Sequence, residues 1–260
     1  PLTLNFGEKH YLDAIDLTPE EFFEQLESAE KLPTTSQPTP EAFLKEFEAA
    51  RDAGDEMVCV LLSSALSGTY QSAAIAREEA DYDGIYLVDS KNVTLAAQLL
   101  VRRAVDLARS GMSAAEIAED LEKARERVHL FALVDTLKYL HKGGRLSGAA
   151  AIAGGLLGIK PVIGINAEGK LALTDKARGL PGAYVAIFKQ IGKVGGIDER
   201  YPVMLGYTGR RAAVEPFIRY ITQNLHLNKP VLRIIGSVVG THAGPGACGI
   251  AFFSKEEEGS

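Results

Sequence analysis

One stretch, residues 57–80 (MVCVLLSSALSGTYQSAAIAREEA), constrains the fold more than any other. Residues 57–62 are a short β-branched and apolar run, the pattern of a buried strand. Residues 63–69 (SSALSGT) put hydroxyls and a glycine into a turn, and from Tyr70 onward an alanine-faced helix follows. A strand, a hydroxyl-rich turn and a helix start together make a pocket for an anion. The helix N-terminus offers free N–H groups and a partial positive charge, and the serines add neutral donors. Such hydroxyls also cap helices in many βα turns, but four in seven positions exceed what one cap needs.

Composition narrows the function classes. A chain of 260 residues with 46% hydrophobic and 24% charged residues reads as an ordinary globular protein of one or two domains. A net charge of −6, a pI near 5.5 and the lack of a basic patch argue against a nucleic-acid partner. Nothing approaches the ~18 unbroken apolar residues of a membrane span, and no signal peptide is visible. Cys59 and Cys248 lie far apart, with neither a disulfide framework nor metal-ligand spacing, which fits a reducing cytoplasm. The chain opens on PLTLNF without an initiator Met, so an N-terminal portion is expected to be missing, and the charged tail EEEGS is expected to fray.

Taken in order, Thr18-Pro19-Glu20-Glu21 is a helix start with a capping box, and the helix should turn Phe22, Phe23 and Leu26 inward. Residues 33–38 read as a rigid polar loop. Thr39-Pro40 opens a second helix that Gly54 ends. A strand at 85–88, a helix from about Thr94 to Ser110, and a second capping box at Ser113-Ala114-Ala115-Glu116 follow. Strand and helix thus alternate through the first half, the mark of a parallel sheet with crossovers. Beyond it come a strand at 129–134, a short helix from about Asp135-Thr136 to Gly143, and an Ala/Gly-rich helix at 149–157. A hairpin pattern centres on Asn166-Ala167-Glu168-Gly169. Helices from about Pro181 and Ala212 and strands at 203–207, 231–235 and 250–253 complete the chain.

Six stretches carry a resemblance: TTSQPTP at 34–40, SSALSGTYQSA at 63–73, VDSK at 88–91, DTLKYLHKGGRLSGA at 135–149, LLGIKPVIGI at 156–165 and GTHAGPGACG at 240–249. In order and spacing they resemble the DegV family along nearly the whole chain. The start departs from the family, whose members usually open with a strand ending in an Asp-Ser pair. The resemblance implies a two-domain α/β fold, a parallel-rich sheet with crossover helices plus a second mixed α/β domain. The boundary is expected near 145/146, with residues 1–145 holding the head-group loops and 146–260 returning a last strand near the site. It implies one long-chain fatty acid in a buried tunnel, no cofactor and no metal. It implies a non-catalytic, cytoplasmic subunit that presents the carboxylate to a separate ATP-binding fatty acid kinase subunit. The acyl-phosphate would pass to an acyl-phosphate-using acyltransferase for phospholipid synthesis, with a transient membrane contact.

A fatty acid needs an apolar slot for its tail and convergent donors at its head. By the resemblance, Thr35, Ser64 and His242 match head-group positions, and Ser63 stays beside Ser64 because the sequence leaves open which turns inward. A turn cap is the ordinary reading of Thr35, and a structural hydrogen bond that of His242. Arg145 and Arg178 match positions facing the kinase partner or the phosphate, where a guanidinium fork suits, although surface ion pairs explain such residues equally. The match is weaker at Arg178, because Gly179 stands where relatives usually have Thr. The tunnel walls are expected from the helix at 149–157.

Other signals are declined. Gly244-x-Gly246-x-x-Gly249 lacks the following helix of a dinucleotide fold, and no GxxxxGK[ST] loop occurs. Asp89-Ser90 ends a strand where α/β proteins place ligand contacts, or it caps the next helix. The competing reading is an α/β acyl-transfer or hydrolytic enzyme with Ser64 as nucleophile and His242 as base, which the absence of a GxSxG elbow weakens.

Overall fold

The computed structural model describes residues 1–146, 158–227 and 229–256. The expected helix at 149–157 lies outside the described residues. The first part of the chain contains β1 (Thr3–Phe6), β2 (Lys9–Leu12), α1 (Pro19–Ser28), β3 (Thr34–Ser36), α2 (Pro40–Ala53), β4 (Met57–Leu61), α3 (Thr69–Ala80) and β5 (Ile85–Asp89). Next come α4 (Thr94–Arg109), α5 (Ala114–Ala124), β6 (Val128–Leu133), α6 (Lys138–Lys142), β7 (Ile159–Ile165) and β8 (Leu171–Arg178). The last part contains α7 (Gly179–Lys193), β9 (Met204–Tyr207), α8 (Arg211–Asn224), β10 (Val231–Ile234), α9 (Ser237–Ala243) and β11 (Cys248–Phe253).

Local chemistry sets many of these bounds. Thr18 caps α1 by accepting from the Glu21 N–H at 3.2 Å, while the Glu21 carboxylate accepts from the Thr18 N–H at 2.9 Å. Ser113 and Glu116 repeat the arrangement at α5. Gly54 ends α2 in the left-handed region at φ 73°. The Asn166–Gly169 turn joins antiparallel β7 and β8, with the Gly169 N–H donating to Asn166 O at 2.9 Å.

The described strands form three sheets, and the class is mixed α/β. β4 and β5 pair in parallel, joined by α3 as crossover. A small antiparallel sheet has the order β2-β1-β3. The largest has the order β10-β9-β11-β6-β7-β8, with β10 and β9 parallel and the rest antiparallel. β6 precedes the expected boundary at 145/146, yet it lies inside this sheet beside β11 and β7.

β11 is buried along its whole length because both faces are covered. Its period of two divides the core. Ile250 and Phe252 pack with Ile187 of α7 and Phe217 of α8, while Ala251 and Phe253 join the cluster containing Leu99 of α4 and Leu121 of α5.

Two elements differ from the sequence reading. Residues 34–36 form a strand, β3, because β1 would otherwise leave one edge unpaired; Asn5 also donates to the Ser36 hydroxyl at 3.0 Å. Helix α9 (SVVGTHA) has β-branched residues and a glycine, a weak helix former on propensity alone. Packing on α1 stabilises it: a Cβ on Gly240 would meet the Phe23 ring at 2.7 Å and the Phe22 ring at 2.9 Å.

That contact gives a test. Gly240→Val forces a branched side chain into the two phenylalanine rings and should destabilise the protein by about 1–3 kcal/mol in urea denaturation. Gly192→Ala, on α7 with open space around the added methyl, should be neutral or stabilising by up to about 1 kcal/mol. Equal effects of the two would show that α9 is not held by this close approach.

Candidate functional site

Three elements distant in sequence meet at one point. β3 carries Thr35, the turn after α6 carries Arg145, and α9 carries His242 on its last turn. Thr35 Oγ1 and His242 Nε2 are 2.9 Å apart across 207 residues. Gly143 permits the approach, since a Cβ there would lie 2.2 Å from His242 Nδ1. Arg145 is fixed by donating from Nε to Leu66 O at 3.2 Å and from Nη1 to Gly143 O at 2.7 Å. No carboxylate forms an ion pair with it among the described residues.

Gln37 couples the first of these elements to the hydroxyl-rich turn. Its amide donates to Gly68 O at 3.0 Å and to the Ser72 hydroxyl at 2.8 Å. A Cβ on Gly68 would collide with that amide at 2.1 Å, so glycine is required here for close approach. The TTSQ and SGT segments are thereby locked together.

A cavity enclosing about 850 Å³, its mouth included, opens from this cluster into the protein. Its walls are almost wholly apolar, from Leu66 and Leu95 through Leu130 and Ile163 to Val238 and Val239. The polar side chains on its lining are Thr35, Ser67, Thr94, Arg145 and His242, together with the Cys248 thiol. On the other side of the cluster lies a polar cleft at the surface, and Thr35, Arg145 and His242 line both spaces. They stand at a junction between an apolar interior and water.

Burial, and then the positive charge of Arg145, hold His242 down to a pKa of about 4. The imidazole is therefore neutral at pH 7, and its Nδ1 is buried without a hydrogen-bond partner among the described residues. If Nε2 carries the proton, it donates to Thr35 Oγ1 and frees the threonine O–H to donate onward. Hydroxyl, imidazole and guanidinium around one point offer a set of donors suited to an anionic group at the end of an apolar slot.

The sequence-predicted residues separate. Thr35, Arg145 and His242 come together; Ser63 and Ser64 do not join them. The Ser63 hydroxyl is buried and donates to Gly169 O at 2.7 Å, tying the turn to the β7–β8 hairpin. Ser64 is exposed and donates to Asp89 from its backbone N–H at 3.2 Å and its hydroxyl at 2.5 Å. Neither is on the lining of the cavity. Ser67, three residues on, lines it instead, and was missed because Ser63, Ser64 and Ser67 look alike without the turn's path. Its hydroxyl also accepts from the Thr69 N–H at 3.3 Å, so it helps to start α3 as well.

Among the described residues no hydrogen bond joins Ser64 to His242, the nucleophile and base of the competing enzyme reading; their partners are Asp89 and Thr35. Asp89 holds the Ser64 turn and accepts from the Lys91 N–H at 2.9 Å; Ser90 donates to Asn92 O. Both residues thus shape the backbone. Arg178 is exposed at the end of β8 and lines neither the cavity nor the cleft. The glycines at 244–249 run into β11, with the Thr208 hydroxyl donating to Gly244 O at 2.7 Å. Among the described residues no group of three His, Cys, Asp or Glu side chains could hold a metal ion. No described helix is long and apolar enough to cross a membrane.

Comparison with known proteins places the chain in a family and the fold among solved structures. A DegV domain-containing protein of Caldanaerobacter subterraneus is 35% identical over 255 residues, covering 98% of this chain and 90% of that protein. The solved structure of a fatty-acid-binding DegV family protein from Thermus thermophilus superposes with a TM-score of 0.89 at 31% identity, over 98% of this chain and 91% of that one. The fatty acid kinase B3 protein of Streptococcus pneumoniae, solved with linoleic acid, has a TM-score of 0.85 over 98% of this chain and 90% of its own. At 22% identity that likeness speaks to the fold alone. A family model described as "Uncharacterised protein, DegV family" matches residues 1–255, and the chain belongs to the DegV family.

Proposed function

We propose that this chain holds one long-chain fatty acid, its tail in the apolar cavity and its carboxylate against Thr35, Ser67, His242 and Arg145. The observation that carries the reading is the cavity itself, apolar along its walls and ending at one cluster of donors that also faces the surface. Fatty acid binding in the Thermus thermophilus relative supports it. Each buried methylene contributes about 0.8 kcal/mol, so the tail supplies most of the affinity and the head group sets the orientation.

The chain then acts as a cytoplasmic, non-catalytic carrier that offers the carboxylate to a separate ATP-binding kinase subunit. A carboxylate oxygen attacks the γ-phosphorus, the bond to the bridging oxygen breaks, and ADP leaves with the electron pair. The acyl-phosphate remains seated here until an acyl-phosphate-using acyltransferase takes it for phospholipid synthesis, with a transient membrane contact during exchange. Arg145 offsets negative charge at the reacting end, and Thr35 and His242 hold the carboxylate in place. Phosphoryl transfer also needs a phosphate cradle and metal, which the partner supplies. Arg178, exposed and away from the cavity, is left as a contact for that partner.

Head-group binding is tested by Thr35→Ala and Ser67→Ala. A hydrogen bond to a charged group contributes about 1.5–3 kcal/mol, so each variant should bind fatty acid roughly 10- to 150-fold more weakly in a displacement assay. Unchanged affinity in both would remove these residues from the site.

His242 supplies a pH signature. The folded, empty protein holds its pKa at about 4 against an ordinary 6.5, so the unfolded chain takes up the proton first as pH falls. This contribution to stability is intact above about pH 6.5 and is lost as pH falls toward about 4. Urea denaturation across that window should show a shallower decline in His242→Gln. Added fatty acid should raise the His242 pKa in NMR titration, because the carboxylate counters Arg145; no movement would place the carboxylate elsewhere.

The carrier role is read by trapping acyl-phosphate as hydroxamate with ATP, magnesium and fatty acid. Product should require the kinase subunit, and Arg145→Ala should slow it at least tenfold at saturating fatty acid. Robust product from this chain alone would restore an enzyme reading.

A further inference from the structure

The cavity carries one polar group that the head-group reading leaves unused. Thr35 pairs with His242, Arg145 donates to two carbonyls, and the Ser67 hydroxyl lies 2.8 Å from Thr69 Oγ1. Thr94 is also on the lining, and its hydroxyl has no hydrogen-bond partner among the described residues. It sits apart from the head-group cluster. Its chain neighbours Val93 and Leu95 pack with Leu130 and Met204. Leu140, Leu146 and Ala243, from the segments that carry Arg145 and His242, pack in a different cluster. An O–H on an apolar wall costs free energy unless something accepts from it.

The backbone is strained at the same residue. Thr94 opens α4 at φ 48°, in the left-handed region that a β-branched residue rarely adopts and glycine adopts freely. Val93 before it is extended at φ −144°, so the reversal falls on Thr94 itself. An unpaired hydroxyl and a backbone outside its preferred range thus coincide in one wall residue. Neither stabilises the fold, and such costs collect where a ligand is contacted.

We infer that Thr94 is a specificity residue whose hydroxyl donates to an oxygen on an internal carbon of the acyl chain, so that the cavity selects a hydroxy or oxo fatty acid over the plain saturated one. This rests on the fatty-acid reading for the carboxylate end. A saturated tail covers the Thr94 hydroxyl without accepting from it. An oxygen at the matching carbon completes the hydrogen bond in a place that water does not reach once the tail is seated. Hydroxyl and oxo groups share the acceptor oxygen. A double bond offers only a π-face, which is a weak acceptor.

The test measures displacement of a fluorescent fatty acid from the full chain. The competitors are stearic acid, oleic acid, and stearic acids carrying one hydroxyl or one oxo group, moved carbon by carbon along the chain. Thr94→Val keeps the shape and the β-branching and removes the O–H. For the oxygenated acid that the wild type prefers, the affinity ratio over stearic acid should fall roughly tenfold or more in Thr94→Val, and Thr94→Ser should keep most of it. Acids with the oxygen well away from that carbon should show one ratio in both proteins. The ratio for oleic acid over stearic acid should move by less than about threefold. Thr94→Gly, which relieves the backbone, should raise the urea midpoint and lose the same selectivity. If stearic acid binds and no oxygenated acid changes its ratio between wild type and Thr94→Val, the inference fails and the carrier reading stands. Selectivity retained in Thr94→Gly overturns it too. A fall for oleic acid as large as for any oxygenated acid overturns the oxygen assignment in favour of unsaturation. If none of the acids binds, the carrier reading itself is lost, and this inference with it.

Discussion

The site depends on how closely α9 can approach its neighbours. His242 reaches Thr35 only because two glycines remove the atoms that would hold the helix away: Gly240 under the rings of Phe22 and Phe23, and Gly143 under the imidazole. Neither glycine needs a left-handed backbone, so the constraint is steric. A third, Gly68, plays the same part where Gln37 bridges β3 to the hydroxyl-rich turn. Together these contacts join segments from the beginning, middle and end of the chain, and the head-group donors follow from them.

The electrostatics follow from the same packing. Burial keeps His242 neutral, and the adjacent Arg145 reinforces that state. An empty site thus presents one fixed positive charge and a set of neutral donors at the end of an apolar cavity. An anionic head group would offset that cation, which has no ion-pair partner among the described residues, and an apolar tail would fill the walls behind it. An amphiphile would satisfy both ends, its tail supplying burial and its head group the orientation.

Much was legible in the sequence where the causes are local. The capping boxes at Thr18 and Ser113, the terminating Gly54, the hairpin at 166–169 and the strand–turn–helix at 57–80 are each written within a few residues. Thr35, Arg145 and His242 were singled out by the family resemblance of their segments, and the structure brings these three to one point. Helix α9 and strand β3 were not, because neither has a strong propensity and each forms against a partner far away in the chain. Ser67 was passed over in favour of Ser63 and Ser64 for a related reason. Which hydroxyl of a seven-residue turn faces a cavity depends on the path of the turn, and that path is fixed by Asp89, Gly169 and Gln37 from outside it.

The sequence by itself determined the α/β class, most element boundaries and the chemical kinds of residue available for a head group, because propensity, capping and periodicity act over one or two turns of chain. Only the tertiary structure decided the order of the six-stranded sheet, with β11 placed between β6 and β9, and the meeting of Thr35 with His242. It also decided that Ser67 and not Ser63 or Ser64 lines the cavity, and that Arg178 stands apart from Arg145. The physical reason is the same in each case: contacts across two hundred residues are selected by close packing and burial of the whole chain, and no local pattern encodes them.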